Sequence, residues 1–327
     1  MKPNVKLITI DDNLSKIVAF INDVIISPRK ALRYWSGITN QTPAAKIGYI
    51  GQHLASLITG MPGTRSGARG DDLVDGTEVK SCNKIDQADK CKDCGNRVMR
   101  TDAVCPVCGS GNIDRKDDSK WLFSIRDDFE LKQYHSLDRV FLLLMDYPGF
   151  DNGDFSDIRI SAFEIYPKEE RMKVFNDLID NHYWNIYRPK ATAGEKTNPM
   201  NLHPWSFQFY KCNPVMTFQC LIKDIDVSPQ IEVVSFVGPE EERCDNLKPV
   251  PMPSSLLKES EWSVLLSAAD YETDIRPLLS FDMPKDNFEW VDVSMKSKLL
   301  PFLDEKLRGY IPLRPIVSTR QKSHYHR

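Results

Sequence analysis

Two Cys-x-x-Cys pairs place the tightest constraint on how this chain folds. Cys91-Lys92-Asp93-Cys94 is followed by Cys105-Pro106-Val107-Cys108-Gly109. Each pair delivers two thiolates from one tight turn, and two turns at this separation close a tetrahedral four-sulfur shell around zinc. A shell with four protein ligands leaves no open position, so the spacing predicts a structural zinc ribbon. A module this small folds only with its metal. The ribbon is expected at about residues 89–116, inserted into something larger.

The remainder has the composition of a soluble globular protein. Its 327 residues are 41% hydrophobic and 27% charged, sufficient for one large or two ordinary domains. No apolar run approaches the ~20 residues needed to span a bilayer. Met1-Lys2-Pro3-Asn4 lacks the apolar segment of a signal peptide. We therefore expect a cytoplasmic protein with no membrane association, in which Cys82, Cys212, Cys220 and Cys244 are ordinary reduced thiols. A net charge of −3 excludes a generally sticky polycation but leaves room for a local basic cleft. No repeat is visible, which excludes a solenoid.

Just before the cysteines lies Arg69-Gly70-Asp71-Asp72-Leu73-Val74-Asp75-Gly76-Thr77-Glu78-Val79-Lys80-Ser81. Asp75-Gly76 is a two-residue hairpin signal, because both positions of such a turn need φ > 0. Side chains alternate along a strand, so Glu78 and Lys80 share a face. A two-residue turn would set Asp71 opposite Lys80, whereas a three-residue loop would pair Leu73 with Thr77 and set Asp72 opposite Glu78. Two carboxylates converging from neighbouring segments form a hard oxygen site suited to magnesium and a phosphate. A lysine beside them can help generate the attacking hydroxide.

This arrangement resembles the PD-(D/E)xK nuclease superfamily, and most closely its type II restriction endonucleases. Asp72, Glu78 and Lys80 fill the family's catalytic places. The family's preceding Pro is absent; Asp71 stands there and is the alternative first acid. The resemblance implies an α/β fold, a restriction-endonuclease-like mixed sheet flanked by helices, here with the zinc ribbon inserted. It also implies magnesium held by Asp72, Glu78 and the Val79 carbonyl. The implied activity is sequence-specific hydrolysis of double-stranded DNA by a homodimer, leaving 5′-phosphate ends. Two other classes share parts of this pattern: a structure-specific repair or recombination nuclease, and a non-enzymatic zinc-ribbon DNA-binding protein.

A rival set, Asp117-Asp118 followed by Glu130-Leu131-Lys132, has more ordinary spacing but lies in charged sequence without β-branched residues, which reads as a loop entering a helix. A helix is expected from Asp12 to Pro28, with Pro28 ending or kinking it. Another runs from Thr42-Pro43 to Gly60, with Ile47, Ile50, Leu54, Leu57 and Ile58 on one stripe and Gln52 off it. Arg65 and Arg69, in a glycine-rich loop, are candidates for clamping phosphate or reading guanine. Arg188, Lys190, Asn198 and Asn201 are candidates for reading base edges.

Strands are expected near residues 121–125, 139–146, 157–166, 217–222 and 231–237, the second buried on both faces and the third half-exposed. Helices are expected at 168–187, stopped by Pro189, and at 262–268 and 295–307. The domain reading is a helical region at 1–60, a catalytic core at 61–220 carrying the ribbon, and a subdomain at 221–327 for recognition or dimerisation.

Overall fold

The computed structural model describes residues 12–39, 48–64, 71–83, 85, 88–116 and 119–315. The chain forms two compact units and passes between them several times. One comprises residues 1–121, 136–166 and 216–247, the other 122–135, 167–215 and 248–327. The consecutive domains read from the sequence do not coincide with these units, because strands far apart in the chain complete one sheet.

In the first unit, Asp12 caps helix α1 (Asn13–Ile21), its carboxylate accepting from the Ser15 amide at 3.0 Å. The helix does not end at Pro28. A π turn at Asn22–Ile26 leads into α2 (Ser27–Thr39), and the wide turn absorbs the amide that Pro28 lacks. Helix α3 (Gly48–Thr59) stops at Gly60, whose φ of +71° is the left-handed terminator expected of glycine. Its predicted Thr42-Pro43 start lies outside the described residues.

Strand β1 (Thr77–Asn83) leads into the ribbon strands β2 (Asp89–Cys91), β3 (Arg97–Val98) and β4 (Ile113–Asp114). After β5 (Trp121–Phe123) and α4 (Asp128–Ser136), the chain returns to the main sheet in β6 (Arg139–Asp146) and β7 (Ile158–Ile165), and later in β9 (Val215–Lys223) and β10 (Gln230–Phe236). The sheet order is β1-β6-β7-β9-β10, with β1 parallel to β6, and β6–β7 and β9–β10 antiparallel. It is thus a mixed sheet with the Glu78 strand on its edge. Helix α3 packs on β1 through a core that joins Leu54, Ala55 and Ile58 to Val79, Phe141 and Leu143.

Strand β6 is buried throughout, as its apolar run requires. Strand β7 is not half-exposed as expected. Ser161 and Glu164 are buried and Arg159 is half-buried, because each finds a partner: Arg159 pairs with Asp146, Gln219 donates to Ser161, and Glu164 meets two arginines.

The second unit is mainly helical. Phe175, Leu178, Ile179 and Tyr183 are buried along α5 (Val174–His182) and its continuation, with Met172 buried in the turn just before it, as their spacing predicts. Pro189 does not stop this run. A π turn at Tyr183–Tyr187 carries it into α6 (Arg188–Thr192), and the wider turn accommodates Pro189, which has no amide to donate. There follow β8 (Met200–Leu202), α7 (Phe207–Lys211), β11 (Met252–Pro253), α8 (Glu259–Ala268), α9 (Lys285–Trp290), α10 (Val293–Leu299), β12 (Phe302–Leu303) and α11 (Glu305–Gly309). The single helix expected at 295–307 is two. Pro301 cannot continue α10, and the Asp304 side chain caps a new start by accepting from the Leu307 amide at 2.8 Å.

Candidate active site

The acidic turn closes through the three-residue alternative. Leu73 bridges Thr77, the Asp72 and Leu73 amides both donate to the Thr77 carbonyl at 3.0 and 3.2 Å, and Gly76 alone adopts positive φ, +77°. Asp75 stays on the ordinary side, so the two-residue primed turn does not form. The loop Val74-Asp75-Gly76, with glycine in the left-handed position, takes its place.

This choice decides which aspartate joins Glu78. Asp72 Oδ2 accepts the Val79 amide at 2.8 Å, on the free edge of β1, while Asp71 is exposed. Glu78 and Lys80 lie half-buried on one face, and the Lys80 ammonium donates to Glu78 Oε1. Burial, with the Glu78 charge second, raises the Asp72 carboxyl from 3.8 to about 6; the Val79 amide and Lys80 pull the other way. A carboxyl whose charge is disfavoured, next to a second acid and one ammonium, makes a site that gains from a divalent cation.

Gln52 completes the group. Its amide donates to Asp72 Oδ1 at 2.5 Å from the half-buried side of α3. The reason it can reach lies next to it. A Cβ on Gly51 would fall 1.7 Å from Ser81 Oγ and 2.9 Å from Ser81 Cβ, so only glycine lets α3 approach β1 this closely. The sequence pattern places Gln52 off the apolar stripe and says nothing of Gly51; a glycine inside an apolar helical stripe is the signal that could have found it.

A buried ionic chain braces the site from behind. Arg139, at the start of β6, reaches Thr77 Oγ1 at 2.9 Å and Asp75 Oδ2 at 2.5 Å in the turn. It also meets Glu164 at 3.4 Å, and Glu164 meets Arg243 at 2.5 Å. Arg243 donates to the Ile58 carbonyl in the last turn of α3 at 2.6 Å. One connected set of charges thus holds both the turn carrying Asp72 and the helix carrying Gln52. Burial alone would push the Glu164 carboxyl up; Arg243 and Arg139 outweigh it and hold it below the ordinary range. None of these partners is adjacent in sequence, and no local pattern marks them.

The other candidates are placed separately. Glu130 lies on α4, as the helical reading of that stretch expects, and is occupied by Arg126 at 2.5 Å. Asp117 and Asp118, like Arg65 and Arg69, lie outside the described residues. Arg188, Lys190, Asn198 and Asn201 belong to the second unit, where the Arg188 guanidinium sits 4.7 Å over the Trp184 ring.

The four cysteines come together. Their sulfurs lie within 4.8 Å of one another, with Cys91–Cys108 at 3.7 Å and Cys94–Cys105 at 3.6 Å. A disulfide would bring a pair to about 2.05 Å. A tetrahedral shell with metal–sulfur bonds of about 2.3 Å has edges of about 3.8 Å. The two turns repeat one geometry. Gly95 and Gly109 have φ of +75° and +71°, and their amides return to the Cys91 and Cys105 carbonyls at 3.0 and 2.8 Å. The ribbon's own apolar core is only Cys91, Val98, Cys105 and part of Ile113.

The architecture and site define a mixed α/β protein with an acid–lysine cluster on a sheet edge and an inserted four-cysteine ribbon. The chain belongs to the MamI restriction endonuclease family, whose family model matches residues 34–255. It is 30% identical over 139 residues to the type II restriction enzyme MamI of Microbacterium ammoniaphilum, a stretch covering 42% of this chain and 40% of that enzyme. No solved structure matches. Among the described residues no helix is long and apolar enough to cross a membrane.

Proposed function

We propose that this protein is a type II restriction endonuclease that hydrolyses double-stranded DNA with magnesium, by PD-(D/E)xK chemistry, as a homodimer. The observation carrying the reading is the meeting of Asp72, Glu78 and Lys80 on the open edge of β1, in a member of this family. Asp72, Glu78 and the Val79 carbonyl hold the ion, and Gln52 orients Asp72. Magnesium there supplies positive charge against the scissile phosphate. Lys80 positions the attacking water and stabilises it as its proton leaves. Attack on phosphorus in line with the 3′ oxygen breaks that P–O bond and leaves a 5′-phosphate and a 3′-hydroxyl.

The test is a supercoiled plasmid incubated with and without magnesium. The wild type is expected to give discrete bands only with magnesium. Glu78→Ala should lower the rate by about 10³-fold or more, and Glu130→Ala by less than about twofold. Cleavage confined to junctions or mismatches would favour a repair nuclease. Full activity in Glu78→Ala would end the assignment.

The four-cysteine cluster holds zinc in a structural role, since its donor set and sulfur separations suit that ion. Cys105→Ser should leave the protein without stoichiometric zinc and open residues 89–116 to proteases, because a core this small does not stand alone. Mass spectrometry of the fragments checks this; unchanged protection of the segment would refute it.

A further inference from the structure

The basic residues of the ribbon divide into two groups that do different work. Arg100 and Arg115 turn inward. They share the buried Asp89 at 2.9 and 3.0 Å, and their guanidiniums lie over the Phe150 and Phe155 rings at 4.9 Å each. These two dock the ribbon onto the main body through packing and an ion cluster.

Lys90, Lys92 and Arg97 turn outward. All three are exposed, and none makes an ion pair with a described residue. Lys90 and Arg97 sit directly opposite each other in the antiparallel pairing of β2 and β3. Like charges in that position destabilise a sheet. The ribbon's acids relieve the pair only in part, through the attraction of Asp114 for Lys90 and Lys92. Asp89 is taken by the inward arginines, and Asp93 by Ser110 and Asn112. Asp102 accepts the Met99 amide. Asp114, facing Lys90 from β4, is held by Lys116 at 2.8 Å. The Lys90 stem lies beside the first cysteine turn, where a Cβ on Gly95 would meet Lys90 Cε at 3.7 Å.

We infer that this face of the ribbon, centred on Lys90 and Arg97 with Lys92 beside them, binds the phosphate backbone of double-stranded DNA. The charge complementarity is local, in a chain whose net charge is −3. An anion in front of Lys90 and Arg97 turns their repulsion into attraction, and a polyanion engages both at once. Contacts of this kind carry no sequence information; they hold register and add affinity to any duplex. The inference rests on the DNA-cleaving reading and deepens it by giving the ribbon a second task.

The experiment compares the full-length wild type with Lys90→Ala/Arg97→Ala. Binding to two fluorescent duplexes, one carrying a site mapped from wild-type cleavage and one lacking it, is measured by anisotropy across a salt series without magnesium. Zinc content and melting temperature serve as controls. The double variant should keep its zinc and its melting temperature. It should bind both duplexes several-fold more weakly, and to the same degree. The slope of log K against log salt should be shallower by about 1.8, or about 0.9 for each phosphate that is no longer neutralised. Lys90→Arg/Arg97→Lys should restore the slope. An unchanged slope in the alanine variant overturns the ribbon contact alone. A wild type that binds neither duplex overturns the DNA reading with it.

Discussion

Asp72→Asn is expected to abolish cleavage and yet stabilise the magnesium-free protein. The folded chain keeps the Asp72 carboxyl protonated up to about pH 6, against an ordinary value of 3.8, through burial first and the Glu78 charge second. Between those two values the folded state binds more protons than the unfolded state. Stability therefore falls as pH rises through that window, and the cost is complete above about pH 6. Asparagine does not ionise and escapes it. Allowing for partial exposure of the site, the gain at pH 8 is about 1–2 kcal/mol, shrinking as pH drops toward 4.

Magnesium is expected to reverse the order. An ion bound only by the native wild type adds about 2.7 kcal/mol at a hundred times its dissociation constant. The amide variant forfeits that gain along with about 10³-fold in cleavage rate. Thermal melts of both proteins, at pH 8 and pH 4.5, with and without magnesium, read the crossover. If Asp72→Asn melts below wild type at pH 8 without magnesium, the electrostatic account of the site fails. With Asp72 as the proposed magnesium ligand, protons are expected to compete with the ion, and wild-type magnesium affinity should weaken below about pH 6.

Glu164→Gln should be among the most damaging single changes in the first unit. Glu164 and Arg243 are both 0% exposed and Arg139 is 1% exposed, and the carboxylate is the acid that bridges the two guanidiniums. A neutral amide leaves two cations buried without that counter-charge, at a cost of about 3–5 kcal/mol, read as a drop in the denaturation midpoint. The triple replacement Arg139→Met/Glu164→Leu/Arg243→Met removes all three charges at once and should recover most of that loss. It should not recover cleavage, because Asp75 and the end of α3 lose the groups that hold them. Recovery of both would mean the charges serve folding alone. Near-wild-type stability in Glu164→Gln would mean they are not coupled.

Much of the chemistry is legible locally. The cysteine spacing specifies the four-sulfur cluster, since two tight turns suffice to form it. The Glu-x-Lys text specifies two groups on one strand face, since alternation is a property of the backbone. The apolar run at 139–146 specifies a buried strand. Local pattern fails where polar residues enter the interior in matched sets. Strand β7 reads as half-exposed because Arg159 and Ser161 alternate with Ile158, Ile160 and Ala162, and only the partners these polar groups find elsewhere make burial tolerable. The prolines at 28 and 189 do not end their helices for a related reason, since π turns supply slack that no local rule anticipates.

Sequence by itself therefore determined the four-cysteine ribbon and the strand that carries Glu78 and Lys80, because each depends on neighbours a few residues apart. Only the tertiary structure decided that Asp72 faces the site while Asp71 faces solvent, that Gln52 reaches it across Gly51, and that Arg139, Glu164 and Arg243 tie the turn to the helix. Those outcomes depend on segments tens to hundreds of residues apart meeting at van der Waals distance, and the energy that selects them exists only once the core has closed.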